Sequence, residues 1–368
     1  MDNQKIILLF IGLLAAVLIS CTPTQHNTPP ISLIRIGVST PLSGPASQTV
    51  GSWTRNGLAI AINHLSPEAR KNIEILYEDD QCNPIQGLTV ARKFVELENI
   101  SFVIGPVCGS VFESTTAYYD DHRVLRIHTT GAMESYKTKG EYKFVMGGYV
   151  EDWMAALSSH ASKAGIKTID IIYLDDDYGR ENLQQFKKHF QGYIIHEESF
   201  VHGTVDFRTQ LTKIKQYPAD GVLIIAYGPY LTNALKQMNE LGIQGKRMSL
   251  TNTRDPEIIK AAGNLTAGLI FPSPLDKSTS DIKLQFEAEY LQQFNASNEI
   301  TAASAFDSLS ILLGAIEQCG QDVPCVKEKL HEATYSGASG LFRFDGHGVA
   351  AREVVVMTVK NGEFVKIT

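Results

Sequence analysis

From Leu33 to about residue 271, short apolar runs alternate with longer stretches of helical periodicity. LIRIGVS at 33–39, IEILYED at 73–79, the run at 102–105 and VLRIH at 124–128 read as strands. Helical spacing fills 57–65, 87–97 and 111–121 between them. That order, βαβαβαβ, is the signature of a parallel sheet with helices on both faces. After Gly147-Gly148 the grammar restarts. Strands are expected at 168–174, 193–200, 221–227, 247–250 and 268–271, with helices at 153–164, 181–190, 207–216, 231–241 and 256–262. The spacing predicts two α/β units of similar build. Helices at 280–294, 304–319 and 326–333 follow, and two extended runs at 352–360 and 363–367 flank Asn361-Gly362, a strong hairpin signal.

The first twenty residues stand outside this pattern. Lys5 precedes an unbroken apolar or small run at 6–20, short for a membrane span and sized for a signal-peptide core. It ends in LISC at 18–21, which resembles the lipobox of bacterial lipoproteins, where the cysteine, here Cys21, is acylated and begins the mature chain. The plainer alternative is a secretory signal cut near a cysteine. The Thr- and Pro-rich residues 22–32 read as a tether. No second apolar run is expected to span a membrane.

Export changes the meaning of the cysteines. Of five, four remain once Cys21 is set aside, and an even number in an exported chain implies disulfides. Four cysteines allow three pairings. We favour Cys82–Cys108, tying the loop after one apolar run to the loop after the next, with Cys319–Cys325 closing the short CGQDVPC loop. A bonded sulfur cannot attack a substrate, so Cys108-Gly109-Ser110 is not read as a thiol nucleophile. Paired C-x-x-C and short His-x-x-x-His spacings are missing from the sequence, against a zinc site. A net charge of -7 without a basic stripe argues against nucleic acid.

In open parallel sheets, ligands sit beyond the carboxyl ends of the strands. The loops there are 39–45, 78–84, 105–110, 128–132, 175–179, 226–230 and 251–256, rich in hydroxyls and glycine. Asp175, Asp176 and Asp177 could hold Mg²⁺, but a solvated turn favouring the next helix's dipole is the plainer reading. Asp79 and Asp80 carry the same two readings. His128 is either a cleft lining or a structural histidine. Tyr178 and Tyr227 end strands of the second unit, where a phenol offers a ligand both an apolar face and a hydroxyl. G-x-S-x-G, P-loop and G-x-G-x-x-G motifs are absent from the sequence.

In order and spacing, IGVSTPLSGP, YEDDQCNP, FVIGPVCGS, LRIHTTGA, IIYLDDDYG, DFRTQLTKIK, GVLIIAYGPY and FRFDGHG resemble the type I periplasmic solute-binding proteins, in the branched-chain amino-acid and amide/urea receptor branch. The resemblance runs from Ile34 to the end. It implies an α/β flytrap with a three-strand hinge: residues 33–148 plus 276–351 form one lobe, and 149–275 plus 352–368 the other. A small solute would be captured between them and delivered to an ABC permease, without catalysis, cofactor or metal, by a monomer held to the outer face of the cytoplasmic membrane or in the periplasm or outer membrane. A ligand-gated sensor of the same fold is the alternative, with an exported enzyme using Asp175–Asp177 or His128 behind it. The disulfide would pin the loop presenting Gly109 and Ser110.

Carried over residue by residue, the resemblance implies a site of Gly109, Ser110, Thr129, Thr130, Gly131, Ala132, Tyr178, Tyr227, Thr251 and Arg254. Hydroxyls of the amino-acid receptors become Gly109 and Ala132 here, and the acid that pairs with the solute's ammonium becomes Thr251. This departure points to a small neutral or anionic solute, such as an amide, a urea-like compound or an organic acid, rather than leucine or valine. The alternative is that Asp255, Asp152 or Glu151 replaces the acid.

Overall fold

The structure is a computed structural model that describes residues 33–274, 280–296 and 300–367. The signal segment, Cys21 and the tether lie outside those residues, as does the expected lobe boundary at 275/276.

Two sheets carry the fold. The first has five parallel strands in the order β2-β1-β3-β4-β5. They are β1 (Ile34–Thr40), β2 (Ile73–Asp79), β3 (Phe102–Ile104), β4 (Leu125–His128) and β5 (Lys143–Val145). The second has seven, ordered β15-β14-β10-β9-β8-β6-β7. Its parallel strands are β6 (Thr168–Leu174), β7 (Tyr193–Phe200), β8 (Gly221–Ile225), β9 (Lys246–Met248) and β10 (Ile270–Pro274). A small antiparallel sheet of β11 (Thr334–Gly337), β12 (Gly340–Phe344) and β13 (Ala350–Ala351) follows the helical stretch. The chain then enters the second sheet as β14 (Val354–Lys360), antiparallel to β10, and turns back into β15 (Glu363–Lys366). The Asn361-Gly362 hairpin is where the sequence placed it, with both residues at positive φ.

The central strands read as continuous apolar runs because both faces are covered. On β6 and β8, Ile172, Leu174, Val222 and Ile224 pack into one core with Leu235 and Phe271. Their neighbours Ile171, Leu223 and Ile225 point the other way, into a core with Trp153, Leu157 and Phe186. In the first lobe, Ile36, Val38, Ile104 and Ile127 meet Leu58 of the helix Val50–Asn63 and Phe306, Leu309 and Leu312 of the helix Ile300–Cys319. Those two helices approach backbone to backbone: a Cβ on Gly57 would lie 2.0 Å from the Ala302 carbonyl oxygen.

Several boundaries move. The first helix starts at Val50, not 57, and the 304–319 helix begins at Ile300. That helix is long and apolar enough to cross a membrane, contrary to the sequence reading, but 67% of its most apolar window is buried inside the protein. It is a core helix. β5 and the small sheet were not expected, since their strands are short and carry Lys143 and Arg343. Both disulfides, Cys82–Cys108 and Cys319–Cys325, are formed, with Cα atoms 5.4 and 5.7 Å apart.

Candidate functional site

A cavity of about 340 Å³ opens at the carboxyl ends of the strands and takes its walls from both lobes. On the first-lobe side, β3 leads through Cys108 into the helix Gly109–Asp121. Cys108 is the N-cap and supplies no side-chain acceptor. The first-turn N–H groups of Gly109 and Ser110, which line the cavity, have no intrahelical use. They sit at the positive end of the helix dipole, where a carboxylate is favoured. The Cys82–Cys108 bridge lies in the same wall and ties this loop to the turn after β2.

That turn is organised by Asp79 and Asp80. Asp79 accepts from the Leu42 and Gln81 amides, at 2.8 and 3.1 Å, and from the Ser43 hydroxyl at 2.6 Å. Asp80 corrects the solvated-turn reading. It is fully buried, accepts from Ser39 Oγ at 2.7 Å and the Cys82 amide at 3.0 Å, and burial pushes its carboxyl up to about 6.

After β4, Thr129, Thr130 and Gly131 line the cavity. His128 is buried, and burial lowers its pKa to about 4, so the ring is neutral. Its Nδ1 faces the Pro106 carbonyl, which assigns the proton to that nitrogen. Nε2, 2.7 Å from Thr130 Oγ1, then competes with the Val107 carbonyl, at 3.0 Å, for the single Thr130 hydroxyl proton. With that proton committed, Thr130 meets a solute as an acceptor. Thr129 Oγ1 and Ser304 Oγ, both on residues about 1% exposed and both in the lining, have no partner among the described residues.

On the second-lobe side, the three acids after β6 divide their work. Asp175 and Asp177 pair with Arg180 at 2.6 and 2.8 Å. Asp176 is the N-cap of the helix Asp177–His189, its Oδ1 accepting from the Gly179 amide at 2.7 Å. Its Oδ2 faces the cavity, 3.4 Å from the Tyr227 hydroxyl and 3.3 Å from His202 Nε2. Burial raises the Asp176 carboxyl above the ordinary range. The Tyr178 and Tyr227 rings both line the cavity, 6.5 Å apart at 59°. Burial and the neighbouring Asp176 raise the Tyr227 hydroxyl well above its usual value.

Two residues expected in the site lie elsewhere. Ala132 is buried and does not line the cavity; its amide donates to the Gly148 carbonyl at 2.7 Å and its carbonyl accepts from Val150. Arg254 is also outside the lining, with Nη1 donating to Ser273 Oγ at 3.1 Å. Thr251 lines the cavity, but its hydroxyl is spent on the Pro272 carbonyl at 2.6 Å. The acids held in reserve are also occupied outside the lining. Glu151 pairs with Lys137 and Lys188, which hold its carboxyl down to about 2, and Asp255 caps the next helix through the Glu257 amide. Asp152 is exposed and does not reach the lining.

Sequence reasoning missed His202, Trp53 and Trp153. The two tryptophans are the only ones in the chain, and both border the cavity. Trp153 sits against Gly131, where a Cβ would lie 2.7 Å from the indole. The signal was present at position 53, in the residues before the expected helix start.

Comparison with known proteins agrees with this architecture. A leucine-, isoleucine-, valine-, threonine- and alanine-binding protein from Pseudomonas aeruginosa is 26% identical over 86% of both chains. A leucine binding protein from Thermotoga maritima superposes with a TM-score of 0.81 at 22% identity, over 91% of this chain and 98% of that one. A solute binding protein of an ABC transporter from Rhodopseudomonas palustris, in complex with benzoate, superposes with a TM-score of 0.81 at 16% identity, over 91% of this chain and 95% of that one. The family model for periplasmic binding protein matches residues 33–363, nearly the whole described fold. The chain belongs to the periplasmic binding protein family.

Proposed function

We propose that this protein captures a small amino-acid solute between its two lobes outside the cytoplasm and delivers it to an ABC-type permease. In this reading it performs no chemistry on the solute, and Cys21 carries the lipid that keeps it at the membrane. The observation that carries the reading is the composition of one cavity: a helix N-terminus and hydroxyls from one lobe face two tyrosines and a carboxylate from the other. Such a site holds opposite charges at its two ends. Organic acids lose support, because Arg254 lies outside the lining and no Lys or Arg lines the cavity among the described residues. The relative that binds leucine, isoleucine, valine, threonine and alanine favours an aliphatic amino acid.

A thermal-shift screen of aliphatic amino acids, amides and organic acids tests this. A bound solute at a hundred times its dissociation constant is expected to stabilise the protein by about 2.7 kcal/mol. A screen in which only organic acids stabilise would overturn the amino-acid reading.

A further inference from the structure

We infer that Asp176, rather than any residue of the loop after β9, is the group that selects a solute for its ammonium. The inference rests on the amino-acid reading above and names the residue that sets it. A buried ammonium needs an anionic partner, and the nearest alternatives are spent or absent from the lining. Thr251 has no charge and donates its proton to Pro272, while Asp255 and Glu151 are engaged outside the cavity. Asp177 reaches the lining, but its charge is already paired with Arg180 at 2.8 Å and its side chain is 44% exposed.

Asp176 differs in how its two oxygens are used. Oδ1 is committed to the helix cap at 2.7 Å. Among the described residues Oδ2 has two polar contacts, at 3.4 and 3.3 Å, both longer than the roughly 2.7–2.9 Å of a charge-assisted bond. It therefore retains capacity for one short bond from the cavity. Tyr227 and Tyr178 stand beside it and offer aromatic faces to a cation. His202 competes for the same oxygen, but its side chain is 43% exposed and can yield. The carboxylate of the same solute would meet the Gly109 and Ser110 amides in the other lobe. A charged pair divided between two lobes holds them together only when both ends are occupied.

The experiment is calorimetry with L-leucine, L-isoleucine, L-valine, L-threonine and L-alanine. The best binder is then compared with its 2-hydroxy acid, which keeps the carboxylate and replaces the ammonium with a hydroxyl. Asp176→Asn preserves the helix cap, because asparagine caps as well as aspartate. Asp255→Asn is the control for removing a nearby carboxylate outside the lining. The wild type is expected to prefer the amino acid, and Asp176→Asn to weaken it by about 10- to 100-fold. Binding of the 2-hydroxy acid should change little, and Asp255→Asn should bind like the wild type. If the wild type binds an amino acid and Asp176→Asn binds it equally well, this inference falls and the amino-acid reading stands. If the wild type binds the 2-hydroxy acid as tightly as the amino acid, the inference also falls. If it binds none of the five amino acids, the inference falls together with the reading beneath it.

Discussion

Asp80 and Asp176 are both carboxylates at strand ends, and burial raises both, yet they serve different ends. Asp80 is sealed against Ser39 and Cys82 behind the cavity wall, whereas Asp176 is turned into the cavity. The Asp80 value of about 6 lies above the ordinary aspartate value near 3.9, so the folded state binds its proton more tightly than the unfolded state. Its contribution to stability is therefore full below about pH 4, falls as pH rises towards 6 and is lost above it. An Asp80→Asn variant should gain on the wild type by about 2–3 kcal/mol between pH 4 and pH 7.5. Urea unfolding of both proteins at the two pH values measures this, and a gap that does not change with pH would refute it. At this scale the sequence was legible where strand ends named a residue, as at Tyr178 and Tyr227. It was not legible where a side chain's direction decided the matter. Ala132 and Arg254 sit in the right loops, but Ala132 is packed in the core cluster of Phe112 and Val145 and Arg254 turns towards Ser273. Asp176 was hidden among three equivalent acids, and only capping and pairing geometry separates it from Asp175 and Asp177.

At the level of elements, covering a sheet on both faces produces strong signals, because a strand buried on both sides has no polar positions to spare. That is why β1, β6 and β8 were legible. β7 lies at the sheet's edge and alternates exposed with half-buried residues, yet its length kept it recognisable. β5 and the strands of the small sheet have two to five residues, too few to show a strand-length apolar pattern. The early start of the first helix was masked by Gly51 and Gly57. Gly57 is there for a packing reason, since the Ala302 carbonyl fills the space a methyl group would need. A Gly57→Ala variant must push two core helices apart, at a cost of about 1–3 kcal/mol for overpacking, less about 1 kcal/mol of improved helix propensity. Thermal unfolding should show a net loss of stability; an unchanged or higher midpoint would contradict the backbone-to-backbone packing. The Cys82–Cys108 bridge acts at the same scale. Joining cysteines 26 positions apart, it adds roughly 2–4 kcal/mol and fixes the wall that carries Gly109.

The whole molecule joins its lobes at crossings reinforced by side chains. Arg352, where the chain leaves the small sheet for β14, donates to the Met146 carbonyl at 3.1 Å and the Ser339 carbonyl at 2.6 Å. The Tyr149 hydroxyl donates to Asp345 at 3.0 Å. Buried Asp307 accepts from the Ala338 and Ser339 amides, both at 2.8 Å. These bonds tie the segment from Met146 to Tyr149, and the helix carrying Asp307, to the residues of and around the small sheet. The cavity uses groups from both lobes, so a solute has differential affinity for the conformation in which both sets reach it. Small-angle scattering of the protein with and without a saturating amino acid, at a concentration fixed by calorimetry, tests this most directly. The account predicts that the radius of gyration falls on binding. A radius unchanged at saturation would contradict capture by closure of the two lobes.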